Sequence, residues 1–299
     1  MALRTPLVRL NAAAATEIHL KLENLQPIGA FKIRGARNAI ARLRPEDLAR
    51  GVWTASAGNM AQGVAWCARE AAIPCGVIVP ETAPVAKIVA VERLGGRVIK
   101  VSFDRWWETF ESRVFPGMEG TFIHAFDDPD VMAGNGTIGL EILEDLEDVD
   151  AIVIPWGGGG LACGIAVAVR AKKPGCRIYA AEVDSAAPLS ASLNAGAPRT
   201  VEYRPSFVDG IGAKAVFPSM WERAQGLIDG AIVVSLREIA GAMRLLAERN
   251  RVIAEGAGAC SVAAALTGRA GPGKVVSVVS GGNIDLGRFC EVVGDAASR

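Results

Sequence analysis

Leu20-Lys21-Leu22-Glu23-Asn24-Leu25-Gln26-Pro27-Ile28-Gly29-Ala30-Phe31-Lys32-Ile33-Arg34-Gly35-Ala36 holds a strand, a turn and the start of a helix in one short span. Residues 18–22 read as strand, Gln26 to Gly29 as turn, and from Phe31 to Leu43 the apolar spacing becomes helical. Lys32 therefore stands at a helix N-terminus, beside the aromatic Phe31 and after the flexible Gly29. The positive end of the helix dipole favours an uncharged amine there. An amine held in that way can form a Schiff base with an aldehyde. The plain alternative is an exposed first-turn lysine.

Strand and helix patterns alternate along the rest of the chain. Residues 52–55, 75–79, 97–101 and 121–125 read as strands, separated by helical stretches at 59–72, 85–94 and 104–114. A helix at 137–146, a strand at 151–155, a helix at 161–172 and strands at 177–183 and 231–235 follow. Helices from Leu236 and Gly258 and a strand at 274–279 complete the pattern. Such alternation predicts an α/β fold of parallel sheets covered on both faces by helices.

The composition narrows the function classes. A chain that is 51% hydrophobic and 21% charged with zero formal net charge suits one or two globular domains with a large core. Neutrality gives no electrostatic reason to expect nucleic acid or an anionic membrane as partner. The N-terminus lacks the apolar core of a signal peptide. Residues 151–169 are uncharged and nearly long enough to span a bilayer, but Pro155 and four consecutive glycines break them. A soluble cytoplasmic protein is expected. Cys67, Cys75, Cys163, Cys176, Cys260 and Cys290 form no C-x-x-C pair and read as buried thiols. With only His19 and His124, no zinc-ligand spacing exists.

Three glycine-rich segments supply parts that a lysine-bound pyridoxal phosphate needs: Thr54-Ala55-Ser56-Ala57-Gly58-Asn59-Met60-Ala61-Gln62-Gly63, Pro155-Trp156-Gly157-Gly158-Gly159-Gly160-Leu161-Ala162-Cys163-Gly164, and Val278-Val279-Ser280-Gly281-Gly282-Asn283-Ile284-Asp285. In this order behind Lys32, they resemble the threonine/serine dehydratase and serine racemase family of pyridoxal-phosphate enzymes, from about Thr5 to Gly287. The resemblance implies the tryptophan synthase beta-like fold, two parallel-sheet α/β domains with the cofactor in the cleft between them. Residues 1–49 and 131–299 would form the large domain and 50–130 a small domain inserted in it. It also implies a homodimer. With the sequence ending near Arg299, the regulatory domain that some biosynthetic members carry is not expected.

The glycines at 157–160 follow an apolar strand and open a helix, where bare backbone N–H groups and the helix dipole suit a phosphate. By resemblance, Lys32 binds pyridoxal phosphate and is the catalytic residue. Phe31 and Asn59 position the ring; Gly157, Gly158, Gly159, Gly160 and Leu161 take the phosphate; Ser280 meets the pyridine nitrogen. Ser56, Ala57, Gly58, Asn59 and Met60 form the loop that holds the substrate carboxylate, with helix N-capping as a further role for Ser56. Ala57 and Met60 depart from the family's serine and histidine. Ala57 carries no proton, which disfavours racemisation and favours elimination. A hydroxyl partner such as Ser280 does not hold the ring nitrogen protonated, which favours prompt loss of a β-substituent.

Two readings stand for Arg113: a clamp on the substrate carboxylate, as in related racemases, or a solvated helix residue. Met60 either makes the pocket more apolar, favouring a bulkier 3-hydroxy-amino acid such as phenylserine over threonine or serine, or packs under the loop. The stretch Glu182-x-x-x-Ala186-x-Pro188 matches the family's divalent-metal site only in part, since Pro188 stands where an aspartate is expected, so no required metal is predicted. A dinucleotide site is the rival from another enzyme class. Gly157-x-Gly159-x-x-Ala162 and Gly134-x-Gly136-x-x-Gly139 both satisfy short forms of its glycine pattern, yet they leave Lys32, Ser56 and Ser280 unexplained.

Overall fold

A computed structural model describes residues 2–295. Its strands are β1 (Leu7–Arg9), β2 (Glu17–Leu22), β3 (Val52–Ala55), β4 (Cys75–Pro80), β5 (Arg97–Val101), β6 (Thr121–Phe122), β7 (Ala151–Pro155), β8 (Arg177–Val183), β9 (Gly230–Val234) and β10 (Lys274–Val279). Helices α1 (Lys32–Ala41), α2 (Pro45–Ala49), α3 (Asn59–Glu70), α4 (Val85–Arg93), α5 (Phe103–Ser112) and α6 (Pro129–Asp145) occupy the first half. Helices α7 (Gly160–Lys172), α8 (Pro188–Ala195), α9 (Pro218–Ala224), α10 (Leu236–Leu245), α11 (Gly256–Leu266) and α12 (Leu286–Asp295) follow.

The chain divides into two compact units, one of Lys32–Asn135 with the start of the chain as far as Leu3, the other of Arg4–Phe31 with Gly136 onward. In the first, β3 and β4 are buried runs flanked in the order β5-β4-β3-β6, and every pairing is parallel. Helix α1 packs on α3 through a face that buries Ile33, Ala36 and Ile40. That packing draws residues 32–49 into this unit, whereas the family resemblance groups them with the C-terminal half. Strand β6 stops at Phe122, three residues short of the expected end. The Nδ1 of His124 accepts the N–H groups of Phe126 and Asp127 and turns the backbone out of the ladder.

In the second unit the order is β1-β2-β10-β7-β8-β9. The unbroken apolar runs of β7 and β10 are central and buried, as strands covered on both faces must be. The sheet is not wholly parallel: β1 adds an antiparallel edge, pairing Leu7 with Lys21. Helix α6 begins eight residues before the expected 137. Asp128 Oδ1 accepts from the N–H groups of Asp130 and Val131 at 2.8 and 3.1 Å, with Pro129 in the first turn. The strict glycine pattern at Gly134, Gly136 and Gly139 lies inside this helix, where a Cβ at Gly136 would fall 2.8 Å from the Gly164 carbonyl oxygen. Those glycines serve helix packing and form no nucleotide loop. The uncharged stretch 151–169 is β7, a loop and the start of α7, and no helix among the described residues is long and apolar enough to cross a membrane. Five cysteines are buried and Cys290 is exposed, against the expectation of six buried thiols.

Lys21 on β2 is fully buried, and its Nζ lies 2.6 Å from Glu141 Oε2 while donating to the Thr5 carbonyl at 2.7 Å. Removing one partner of a buried pair leaves an uncompensated charge. Lys21→Ala is therefore expected to lower the unfolding free energy by about 3–5 kcal/mol in urea titrations. The double replacement Lys21→Met with Glu141→Leu is expected to recover most of that loss, because both charges leave together.

Candidate active site

Strand β7 ends at Pro155, and Trp156 then turns under the glycine loop. Gly159 has φ +90°, and a Cβ there would fall 2.7 Å from Trp156 Cη2, so the backbone at Gly159 packs directly against the indole ring. The N–H of Cys163 donates to the Gly159 carbonyl at 2.9 Å, which starts α7, and Leu161 buries its side chain in the first turn. No acidic side chain stands in that turn to offset the positive helix end. Gly157, Gly158, Gly159 and Gly160 thus present bare backbone at a helix N-terminus, an arrangement suited to a phosphate dianion.

Ser280 follows β10 and is buried, with its carbonyl accepting the Phe31 N–H at 3.0 Å. Around it, Ala30 bridges Gly281, Gly282 N–H donates to the Gly29 carbonyl at 2.9 Å, and Asn283 Nδ2 donates to the Ile28 carbonyl at 2.7 Å. Gly29, at φ +70°, has no room for a Cβ, which would lie 2.5 Å from Asn283 Oδ1. The turn at 28–31 is therefore pinned to 280–283. Glu255, buried at the N-cap of α11, joins the same cluster by donating its N–H to the Gly281 carbonyl at 3.1 Å.

The next residue after Phe31 is Lys32, the first of α1, where the chain passes from one unit to the other. Its Nζ donates to the Ala125 carbonyl at 2.6 Å. Ala125 belongs to the turn made by His124, a side chain only 2% exposed whose protonation is pushed down to about 3 by burial, and further by the charge of Arg113. Arg113 lies just past α5 as its left-handed C-cap, and its guanidinium donates to the Asp127 carboxylate at 2.7 Å and carbonyl at 3.1 Å. It is thus neither within a helix nor a purely solvated side chain.

Ser56, Ala57, Gly58 and Asn59 are half-buried where β3 passes into α3. Ser56 Oγ accepts the Gly58 N–H at 3.2 Å, and Gly58, not Ser56, holds the N-cap position. Met60 is 1% exposed, so its side chain is packed into the core of its unit and lines no open surface. Of the two readings of Met60, this burial accords with packing under the loop. It points inward because it is the second residue of α3, on the face that also buries Ala61 and Val64. Glu182 likewise has a structural role. Its oxygens accept the Leu189 and Ser190 N–H groups at 2.9 and 2.7 Å and cap α8. No cluster of potential metal ligands occurs among the described residues.

The family model of pyridoxal-phosphate dependent enzymes matches residues 2–281. The chain belongs to this family. Among curated relatives it is 42% identical to the L-threonine ammonia-lyase of Thermotoga maritima, over 95% of this chain and 71% of that protein. It is 39% identical to the catabolic L-threonine dehydratase of Escherichia coli, over 93% of this chain and 86% of that protein. Among solved structures, the serine racemase of Dictyostelium discoideum superposes with a TM-score of 0.86 at 34% identity, covering 95% of this chain and 94% of that one. Threonine deaminase isoform 2 of Solanum lycopersicum gives 0.89 at 32% identity, covering 99% and 84%.

The residues present fit the cofactor of a pyridoxal-phosphate dependent enzyme. The glycine loop admits no Cβ at Gly159 and offers a positive helix end; Lys32 offers an amine; Ser280 offers a buried hydroxyl. Trp156, His124 and Glu255 are not singled out by the sequence. The glycines next to Trp156 and Glu255 were the available signals, and for His124 its proximity to Phe122 and Phe126 was one.

Gly159→Ala is expected to lower the melting temperature and weaken cofactor retention on dialysis, read from the visible absorbance, because positive φ and the Trp156 ring both oppose a methyl group. Glu182 gives a pH test. Burial pushes its carboxyl up to about 7 despite its two backbone hydrogen bonds. A raised carboxyl pKa favours the neutral form in the fold, so stability is full below the ordinary value near 4.5 and is lost as pH rises through 7. Urea titrations are expected to show the wild type losing about 3 kcal/mol across that window relative to Glu182→Gln.

Proposed function

We propose that this chain is a pyridoxal-phosphate-dependent ammonia-lyase that dehydrates L-threonine or L-serine to a 2-oxo acid and ammonia. The observation that carries the reading is the Lys32 amine at the head of α1, directly after a turn pinned to the Ser280 segment, in a chain about two-fifths identical to L-threonine ammonia-lyases. When bound, pyridoxal phosphate supplies an aldehyde for the substrate amine and a ring that withdraws electrons from Cα. Lys32 would hold that group through its amine and would take the Cα proton of the substrate. Backbone N–H groups of Gly157 to Leu161 would bind the phosphate, Phe31 and Asn59 would orient the ring, and the Ser280 hydroxyl would meet its nitrogen. Ser56, Ala57 and Gly58 hold the substrate carboxylate. The substrate would lose its Cα proton and β-hydroxyl as water, and a water taken up as ammonia departs would give the 2-oxo acid.

Ala57 supports elimination over racemisation, since inversion at Cα needs a proton carrier on the face opposite the lysine. The burial of Met60 removes one ground for a bulkier substrate such as phenylserine. Arg113, already paired with Asp127, is left out of substrate binding here. The reading extends to a cytoplasmic homodimer, with sedimentation equilibrium as the measure of assembly.

Borohydride reduction followed by peptide mapping is expected to place the reduced adduct on Lys32, and an adduct on another lysine, or none, rejects the reading. Lys32→Ala is expected to lower kcat by about 100- to 10,000-fold. Specificity constants should favour L-threonine over phenylserine by more than about tenfold, within the range one apolar pocket contact can give. L-serine should yield pyruvate far faster than it yields D-serine.

A further inference from the structure

His124 has no part in the reaction as proposed, although its turn receives the Lys32 amine. Two backbone donors converge on His124 Nδ1, the Phe126 N–H at 3.2 Å and the Asp127 N–H at 2.8 Å. Accepting them requires a lone pair on that nitrogen, so the neutral ring carries its proton on Nε2. The ring is packed against Phe110 and Phe126, with centroids 4.6 and 4.7 Å away. The charged groups that act on it are Arg113 and Lys32, which oppose protonation, and Asp127, which favours it. A side-chain acceptor that takes the N–H groups two and three residues ahead closes a turn, here with Ala125 inside it. The Ala125 carbonyl is thereby fixed, and Lys32 Nζ donates to it at 2.6 Å. On the far side the Arg113 guanidinium holds Asp127 by its carboxylate and its carbonyl.

We propose that His124 is a positioning residue for the elimination: by closing the 124–127 turn it aims the Ala125 carbonyl at the Lys32 amine and so orients that amine for proton transfer. This rests on the reading of Lys32 as the proton-moving lysine. An amine with one N–H committed to a fixed carbonyl has fewer orientations to search, and a displacement of about 1 Å is enough to slow such a step strongly. His124 itself moves no proton, because its Nδ1 is occupied and its ring is buried among aromatics.

The test compares three holoenzymes. In His124→Asn the side-chain oxygen replaces Nδ1 and accepts both N–H groups; in His124→Phe the aromatic cluster is filled but no acceptor remains. His124→Phe is expected to lower kcat for L-threonine by about tenfold or more with KM within about threefold. His124→Asn is expected to recover most of kcat. Equal losses in the two variants, a tenfold loss in His124→Asn alone, or a change confined to KM would overturn the proposal. A measurement independent of turnover and of the Phe variant's folding is the nitrogen-15 spectrum of the wild-type holoenzyme, simple because the chain has only two histidines. His124 is expected to show a bare Nδ1 and a protonated Nε2 throughout about pH 5 to 9; a titrating ring, or a proton on Nδ1, overturns the proposal. Borohydride mapping separates the two claims. An adduct away from Lys32 rejects both, whereas an adduct on Lys32 in every variant without rescue by asparagine rejects the His124 proposal alone.

Discussion

The hydrogen bond from the Phe31 N–H to the Ser280 carbonyl, with the Ala30–Gly281 bridge beside it, joins the two ends of the folding problem. It links segments far apart in the chain; the accompanying Asn283–Ile28 contact spans 255 residues. Closing so long a loop costs entropy that only a large buried sheet offsets, and β2 and β10 provide it by pairing in parallel register from Glu17–Lys274 to Leu22–Val279. Once that register is set, the turn at 28–31 has one position and the residue that follows it starts α1. A one-residue slip of β2 against β10 would turn every side chain of the strand to the other face.

Three buried titratable side chains in this protein, Glu182, Lys21 and His124, are satisfied by the backbone or by an opposite charge, and each solution shapes what lies around it. Glu182 accepts two N–H groups and starts α8. Lys21 pairs with Glu141 and thereby ties β2 to α6. His124 ends β6 by capturing two N–H groups that a longer strand would have offered to its neighbour. In each case the group costs several kcal/mol if left unpaired, which is why the local backbone bends to meet it.

Glycine plays two unlike parts. At Gly159 and Gly29 the backbone itself needs a left-handed conformation, and a side chain would strike the Trp156 ring or Asn283. At Gly136 and Gly139 the helix is regular, and the missing Cβ instead lets α6 approach α7. A short motif search cannot tell these apart, because spacing records neither φ nor neighbours. The strict dinucleotide pattern at Gly134, Gly136 and Gly139 fails for that reason.

What the sequence determined by itself was set by local composition: the central parallel strands, legible as unbroken apolar runs; the glycine loop after β7; and the lysine placed behind a Pro/Gly turn. Those features need no distant partner to be read. Tertiary structure alone decided the rest. The antiparallel edge β1 is too short to carry a pattern, and α6 starts early because Asp128 caps it. Residues 32–49 join the first unit because α1 packs on α3, a contact between faces that periodicity cannot assign. Met60 lies inward and Arg113 meets Asp127 because helix phase and a left-handed cap, not residue type, set where a side chain points. In the sequence His124 offers only the absence of a zinc-ligand spacing; the folded turn shows that its nitrogen holds the segment on which the Lys32 amine rests.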